Sequence, residues 1–507
     1  MSQTSAAATK SGGVTMALVF LGLLAGIQSA DPGISSTALI SAGKDLTFGG
    51  LDGLAASVST LALAATVIST GMLADRLGRK KVILVAMLLA IVGDGIVSIA
   101  QNPWMFIIGR AIAGIALGAV YGAAFAYIQY FGAKSKGGIA GALGVFGAST
   151  GLFTLLIIFS GSSLVGVGWR VAFLLVPALS VLTIILGLII LPKDEKGLKK
   201  GAPWDVTGQL LLGFAIIATL YGISHASDQL VSPLTIAPFV LGLILFVLFY
   251  FRERNTSDKR FFPIALLKQP LFLAAIGVGF LVNFSAGLGF ISFNNLFQYQ
   301  LDLKGLALSL SQLPYIIVGI PVALIIGRIL AKQIVSRQVS AFVGGFILAA
   351  GALTFAFTAL GSPKSIWEYL PALILLGIGT AVPSVAYGSM ILQEADAKHY
   401  GVVSSSRTTI GQFWYSLGLA VSAVVIDSIA RSHVLAKLGA SAEAALNAWS
   451  ATGAKPADAS VLPAAAEGFV QGFAVAMIAL AIASVVVGTL VLILGNRADK
   501  IKKNLPA

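Results

Sequence analysis

An all-α membrane protein is the fold class this sequence predicts, and three observations predict it. Hydrophobic residues make up 57% of the 507 and charged residues only 10%, with a mean hydropathy of +0.94. Soluble globular chains carry about 25% charged residues, so this one would expose far too much apolar surface to water. Apolar runs long enough to cross a bilayer, roughly 20 residues each, recur along the whole chain. Lys and Arg are also unevenly placed, alternating between rich and poor loops.

The runs fall at about 14–40, 50–74, 82–100, 103–131, 137–161, 169–191, 205–224, 232–251, 270–300, 306–328, 339–360, 366–390, 399–430 and 468–495. The first, Val14 to Ile40, is too long for a signal-peptide core and reads as an uncleaved span. Fourteen spans put both termini on one side. The loops on that side hold 24 of the 33 Lys and Arg, the alternate loops hold 7, and Arg110 and Arg407 fall within spans. Cytoplasmic loops carry the excess of positive charge, so both termini are expected in the cytoplasm and the chain in the inner (plasma) membrane. A span count wrong by one would scramble this alternation.

Two stretches exceed tight turns. Residues 192–204 (PKDEKGLKKGAPW) read as a cytoplasmic linker, and 431–467 as an external loop or short surface helix. The chain divides into a six-helix lobe (1–192), a linker with an extra helix pair (193–269) and a second six-helix lobe (270–507). Two pseudo-symmetric six-helix lobes, 6 + 2 + 6 in all, form a transporter architecture with its site between the halves.

Several functions are excluded on composition. Cysteine is absent and there are three His, which argues against disulfides and zinc. No phosphate-cradling Gly-Lys-Ser/Thr loop and no Gly-x-Ser-x-Gly elbow occurs. An enzyme is not expected, nor any cofactor. The net charge of +13 sits in short loops, where it sets topology and does not call for nucleic acid. The expected partners are a small-molecule substrate, protons and the lipid bilayer, with the chain a monomer.

After the second run comes Gly71-Met72-Leu73-Ala74-Asp75-Arg76-Leu77-Gly78-Arg79-Lys80-Lys81. Gly71 and Gly78 permit close helix approach and a turn. Asp75 is placed to meet an Arg or the positive end of a neighbouring helix, latching one conformation. This order of residues resembles the signature loop of the major facilitator superfamily. The echo after span 10, Gly327-Arg328-Ile329-Leu330-Ala331-Lys332, has Ala331 where an acid would sit, so a latch there must use other groups.

The resemblance extends to the fourteen-span drug:proton antiporter family. Asp31-Pro32-Gly33-Ile34 resembles its span 1 motif, and Arg110, Gly114 and Gly118 its span 4 motif. Gly168-Trp169-Arg170-x-x-Phe173, Trp204-Asp205-x-x-Gly208, Phe262-Pro263 with Pro270-Leu271-Phe272, and Ser416-Leu417-Gly418 follow in the family's order. One departure is in span 5. The family's Gly-Pro motif is replaced by Gly147-Ala148-Ser149-Thr150-Gly151, although Gly141, Gly144, Gly147 and Gly151 keep a close-packing stripe. The missing proline leaves symport open beside antiport.

Ionisable groups inside spans are costly and usually have a partner and a task. Asp427 and Arg407 lie near enough to span ends to snorkel. Asp31, Asp94 and Arg110 all fall roughly 12–14 Å below the outer surface at 1.5 Å per residue. Either Arg110 is shared between the two acids, or a fixed Asp94–Arg110 pair leaves Asp31 to titrate alone. A carboxylate balanced between burial and a neighbouring Arg can take up and release a proton, and the resemblance implies that role for Asp31. At about 100° per residue, Gln28, Asp31 and Ser35 share a face of span 1. Arg110, Gly114, Tyr121 and Phe125 share a stripe of span 4, and Asn283, Gly287, Phe290, Asn294 and Gln298 one of span 9. Gln412, Trp414 and Tyr415 stand on span 13. The resemblance makes spans 1, 4, 9 and 12 the cavity-lining set. For span 9, hydrogen bonding between helices is the alternative, and for Trp414 and Tyr415 it is packing.

Together these features point to proton-coupled export of lipophilic or cationic organic compounds, drugs among them. The rivals are uptake or efflux of a specific metabolite, and a non-transporting sensor or lipid translocator on the same fold.

Overall fold

The computed structural model describes residues 2–48, 51–135, 137–194, 205–226, 230–255, 262, 264–303, 305–393, 400–442 and 460–503. Trp204, Pro263 and Lys304 lie outside these residues, as do residues 443–459 of the 431–467 loop. The described chain contains fourteen helices long and apolar enough to cross a membrane. In the first lobe they are α1 (Gly12–Leu39), α2 (Leu54–Leu77), α3 (Arg79–Ser98), α4 (Pro103–Gly132), α5 (Gly138–Val165) and α6 (Trp169–Ile190). The extra pair is α7 (Val206–Ala226) and α8 (Pro233–Asn255). The second lobe is α9 (Pro270–Leu301), α10 (Leu313–Ala331), α11 (Arg337–Leu360), α12 (Ile366–Ile391), α13 (Ser405–Leu438) and α14 (Leu462–Ile501).

The helices form because, in hydrocarbon, every backbone amide must be satisfied within its own segment. Their ends follow local chemistry. Asn102 caps α4, its side chain accepting from the Met105 amide at 2.9 Å, with Pro103 in the first turn. Gly78 separates α2 from α3 at φ 104°. At the face away from the termini, Asp45 accepts from the Trp169 indole at 3.1 Å and from Arg170, while Arg170 also donates to the Ala100 carbonyl. Hydrogen bonds from Arg170 and Trp169 hold the Asp45 carboxyl below its ordinary 3.8. That contribution is therefore present above pH 3.8 and is lost only as pH falls through the lowered value.

Three details depart from the sequence reading. The α13 helix continues to Leu438 and α14 begins at Leu462, so both ends of the expected 431–467 loop are helical. A separate short helix, Gly305–Ser311, precedes α10. Inside α9, residues Phe280–Phe284 form a π turn. It adds a residue to that turn, so the face drawn at 100° per residue from Asn283 to Gln298 is not continuous.

The lobes meet chiefly along two helix pairs, α5 with α10 and α2 with α13, with lesser contacts of α4 with α13 and α5 with α12. The α5 glycine stripe makes the first contact. A methyl group on Gly144 would lie 2.9 Å from the Ala323 carbonyl oxygen and 3.0 Å from Cα of Gly327. Gly141 faces Ala331, Gly147 faces Ala323 and Gly151 faces Ile320. Small residues let backbones touch in this way where no hydrophobic force draws helices together. Apart from the Gly151–Ile320 contact near mid-helix, these contacts lie in the halves of α5 and α10 nearest the termini, so the seam is closed at the terminus-bearing face. On its other side α5 packs on α1, where Gly22 and Gly26 receive Ser149 and Phe153.

Since the chain has no cysteine, the seam can be tested directly. A Cβ on Gly147 would stand 3.6 Å from Cβ of Ala323, within the disulfide range of roughly 3.5–4.5 Å. The double variant Gly147→Cys, Ala323→Cys should crosslink on oxidation, seen by mass spectrometry, while pairing Gly147→Cys with a cysteine on lipid-facing Ile325 should not.

Candidate functional site

Backbone proximity assembles the charge cluster. Gly93 and Gly109 let α3 and α4 touch: a methyl on Gly93 would lie 2.6 Å from the Ala113 amide nitrogen, and one on Gly109 2.8 Å from the Gly93 carbonyl oxygen. The short Asp94 side chain thereby reaches Arg110 from the next helix. Gly114 brings α2 equally near, its added methyl falling 2.1 Å from the Ser59 carbonyl. Arg110 then grips Asp31 of α1 with a fork, Nη1 to Oδ1 at 2.8 Å and Nη2 to Oδ2 at 2.6 Å. Its Nη1 also donates to Asp94 Oδ1 at 3.0 Å, and Ser59 Oγ donates to Asp31 Oδ2 at 3.3 Å. The Phe173 ring, at the break in α6, lies 5.2 Å from the guanidinium carbon.

Of the two arrangements left open by the sequence, the shared one is present. Asp31, Asp94 and Arg110 are 3%, 0% and 1% exposed, so the cluster is sealed within the first lobe. Gln28 and Ser35, on the same α1 face, are buried as well. Asp94 Oδ2 and Arg110 Nε have no hydrogen-bond partner among the described residues.

The expected latch residues meet beneath this cluster, at the terminus-bearing face. Asp75 pairs with Arg79 at 3.3 Å, and Arg79 donates to the Ala126 carbonyl of α4 at 3.1 Å. Gly71 is buried in α2 and Arg76 is half-buried. The positive end of α3 is met by a different acid from the one expected. Asp194, just beyond α6, accepts from the Lys80 and Lys81 amides at 3.0 Å each. Gly78 makes room: a methyl there would sit 2.3 Å from the Asp194 carboxyl. Asp194 was hidden in the charged 192–204 stretch, where only its position just ahead of a helix start in space gives it meaning.

The second lobe keeps this geometry although its motif is degraded. Arg337 opens α11 as Arg79 opens α3, and its Nε donates to Ser389 Oγ of α12 at 2.5 Å. The next residue, Gln338, donates to Asp499 Oδ2 near the end of α14 at 2.6 Å. These are the other groups that Ala331 made necessary.

Most of the expected cavity residues on α9 and α13 are engaged in contacts with neighbouring helices. Asn283 donates to the Gly279 carbonyl and lies against Gly411 of α13. Gly287 packs on the Tyr415 backbone, and Asn294 accepts from Gln312 at 2.6 Å. Gln298 and Gln412 are half-buried, and the Phe290 side chain lies outside the described residues. Trp414 donates to the Ile276 carbonyl and packs on Phe280. Asn283 thus bonds back along its own helix, and only Asn294 makes the expected bond between helices, to Gln312 at the start of α10. The enclosed space beside Gln312, Tyr315 and Tyr415 is about 90 Å³, small against the roughly 300 Å³ a drug-sized ligand needs.

Tyr121 and Phe125 are instead part of the seam. They stack in parallel, 6.3 Å between centroids, and Arg407 of α13 reaches across to donate to the Tyr121 hydroxyl. Arg407 therefore does not snorkel to the membrane surface as expected. Asp427 pairs with Arg431 one turn on at 2.6 Å, partly in the open.

The model of the Major Facilitator Superfamily matches residues 15–419. The chain belongs to that superfamily. Among relatives of this facilitator chain, a methylenomycin A resistance protein from Bacillus subtilis is 24% identical, covering 72% of this chain and 77% of its own. A probable actinorhodin transporter from Streptomyces coelicolor is also 24% identical, covering 78% and 69%. The multidrug efflux pump LfrA of Mycolicibacterium smegmatis is 23% identical, covering 80% of each. The solved human organic anion transporter MFSD10 (TETRAN) superposes with a TM-score of 0.60 at 15% identity, covering 95% of this chain and 99% of that one. That likeness is one of fold.

The Gly78–Asp194 fit generates a stability prediction. Gly78→Ala carries both a strained φ and a carboxylate collision, and should destabilise by about 1–3 kcal/mol, read as a lower melting temperature in detergent. Adding Asp194→Ala should recover the collision part and leave the φ part.

Proposed function

We propose that this facilitator is a proton-coupled exporter of amphipathic organic compounds in the inner (plasma) membrane, with both termini in the cytoplasm. The buried Asp31–Arg110–Asp94 cluster carries the reading. Two carboxylates against one guanidinium leave a net −1 in an apolar interior, an expensive state. One proton makes the cluster neutral. Asp94 Oδ2, which has no partner, is an oxygen where that proton can sit.

A proton taken up on Asp31 would instead break the fork and leave Arg110 to Asp94 alone, loosening α1 from α4. The movement has a route to the seam. The α1 helix backs α5 through Gly22 and Gly26, and α5 meets α10 through Gly144 and Gly147. With positive-inside orientation, the closed seam is the cytoplasmic one, and protonation changes the helix that braces it. Two relatives named for resistance or efflux support export. In this conformation Arg110 occupies both Asp31 oxygens, so Asp31 offers no free carboxylate to a cation.

Proteoliposomes with an imposed pH gradient of either sign test this reading and separate exporter, importer and non-transporter. Asp31→Asn should abolish gradient-driven transport while exchange down a substrate gradient persists. Asp94→Asn should likewise lose the pH response. Full pH-driven transport by the Asp31 variant would refute the assignment.

A further inference from the structure

Arg407 is a permanent cation, since guanidinium does not deprotonate in proteins, and it lies within a span. Arg110, in the same position of cost, has two carboxylates. Among the described residues no carboxylate pairs with Arg407. Its Nη1 donates to the Tyr121 hydroxyl, and its guanidinium carbon lies 4.7 Å from the Phe125 centroid and 4.8 Å from that of Tyr387. Its Nε is buried with no hydrogen-bond partner. Rings and one phenol compensate a cation only in part.

The surroundings straddle the seam. Tyr121 and Phe125 belong to α4 of the first lobe, Arg407 and Tyr387 to α13 and α12 of the second. The Tyr387 hydroxyl donates to the Arg407 carbonyl at 2.9 Å, fixing the residue within its own lobe. When the seam opens at the terminus-bearing face, Arg407 stays with Tyr387 and parts from Tyr121. It then presents a guanidinium edge beside a flat ring. Such an edge takes a carboxylate or sulfonate through paired bonds from Nε and Nη, and the rings take the apolar body.

We infer that Arg407 is the recognition group for organic anions, so that the exported compounds are amphipathic anions with a flat apolar body. This rests on the transporter reading above. Substrate and Tyr121 compete for one guanidinium, so the lobes close at this face only once the anion has left Arg407 or has replaced the Tyr121 bond.

The test uses the purified full chain with fluorescein, an anionic xanthene, and rhodamine 6G, a cationic one. Binding is read by fluorescence anisotropy at fixed pH without a gradient. Wild type should bind fluorescein in preference. Arg407→Gln should weaken fluorescein binding about tenfold or more and spare rhodamine, while Arg407→Lys keeps part of it. Preference for rhodamine, no fluorescein binding by wild type, or equal loss of both dyes in a folded Arg407→Gln would overturn the inference. Should that variant not fold, Tyr121→Phe decides: removing the competing hydroxyl should tighten fluorescein binding alone, and unchanged or weaker binding overturns it. A failure of proton coupling would show differently, as dye binding intact with transport indifferent to pH.

Discussion

A charge in hydrocarbon must find its counter-charge within the reach of its own side chain. Arg110 meets that constraint with Asp31 and Asp94, and much of the first lobe is arranged around the result. Gly93, Gly109 and Gly114 bring α2, α3 and α4 to backbone contact. Only then can two Asp residues, the shortest acids available, reach one guanidinium. The fork to Asp31 ties in α1, and Phe173 closes the cluster from α6. Five helices of six are thus placed by one electrostatic requirement, and the packing glycines serve it. Longer acids would permit looser helices and a less definite geometry.

The second intramembrane arginine satisfies the constraint differently. Arg407 has rings and a phenol drawn from both lobes. A compensation that exists only while the lobes touch depends on conformation. The Arg110 cluster lies inside one lobe and would travel with it in the rocking motion of the proposed transporter, whereas the Arg407 contacts would have to be broken and remade. The two sites therefore suit different tasks: the first stores a charge state, and the second reports whether the seam is shut.

Much of this was legible in the sequence. Fourteen spans and the alternation of Lys and Arg follow from hydropathy and charge, which act locally. The meeting of Asp31, Asp94 and Arg110 was legible because all three share a depth, and depth along a helix is nearly a linear function of residue number. What rotation and neighbourhood decide was harder to read. The π turn at Phe280–Phe284 contains Asn283 and shifts its phase against the α-helix from Ser285 onward, so counting could not place it on one face with Gly287 to Gln298. Asp194 sits among charged linker residues with nothing local to distinguish it. Arg407 was two turns from a span end, and only the fold reveals that Tyr121, almost 290 positions away, stands opposite.

The second lobe shows why a motif and its geometry can separate. In the first lobe Lys80 and Lys81 offer backbone amides to Asp194. In the second, Gln338 offers a side-chain amide to Asp499, a different donor bridging the same two helix ends. Likewise Arg79 ends on a backbone carbonyl of α4 and Arg337 on a hydroxyl of α12. In each lobe, the start of the third helix is tied to the end of the sixth and to the inner end of the fourth. That tie couples three helices of each lobe at this face. Residue identity is free to drift provided a donor faces an acceptor there, because the mechanical demand is on the distance between helix ends and not on the groups that span it.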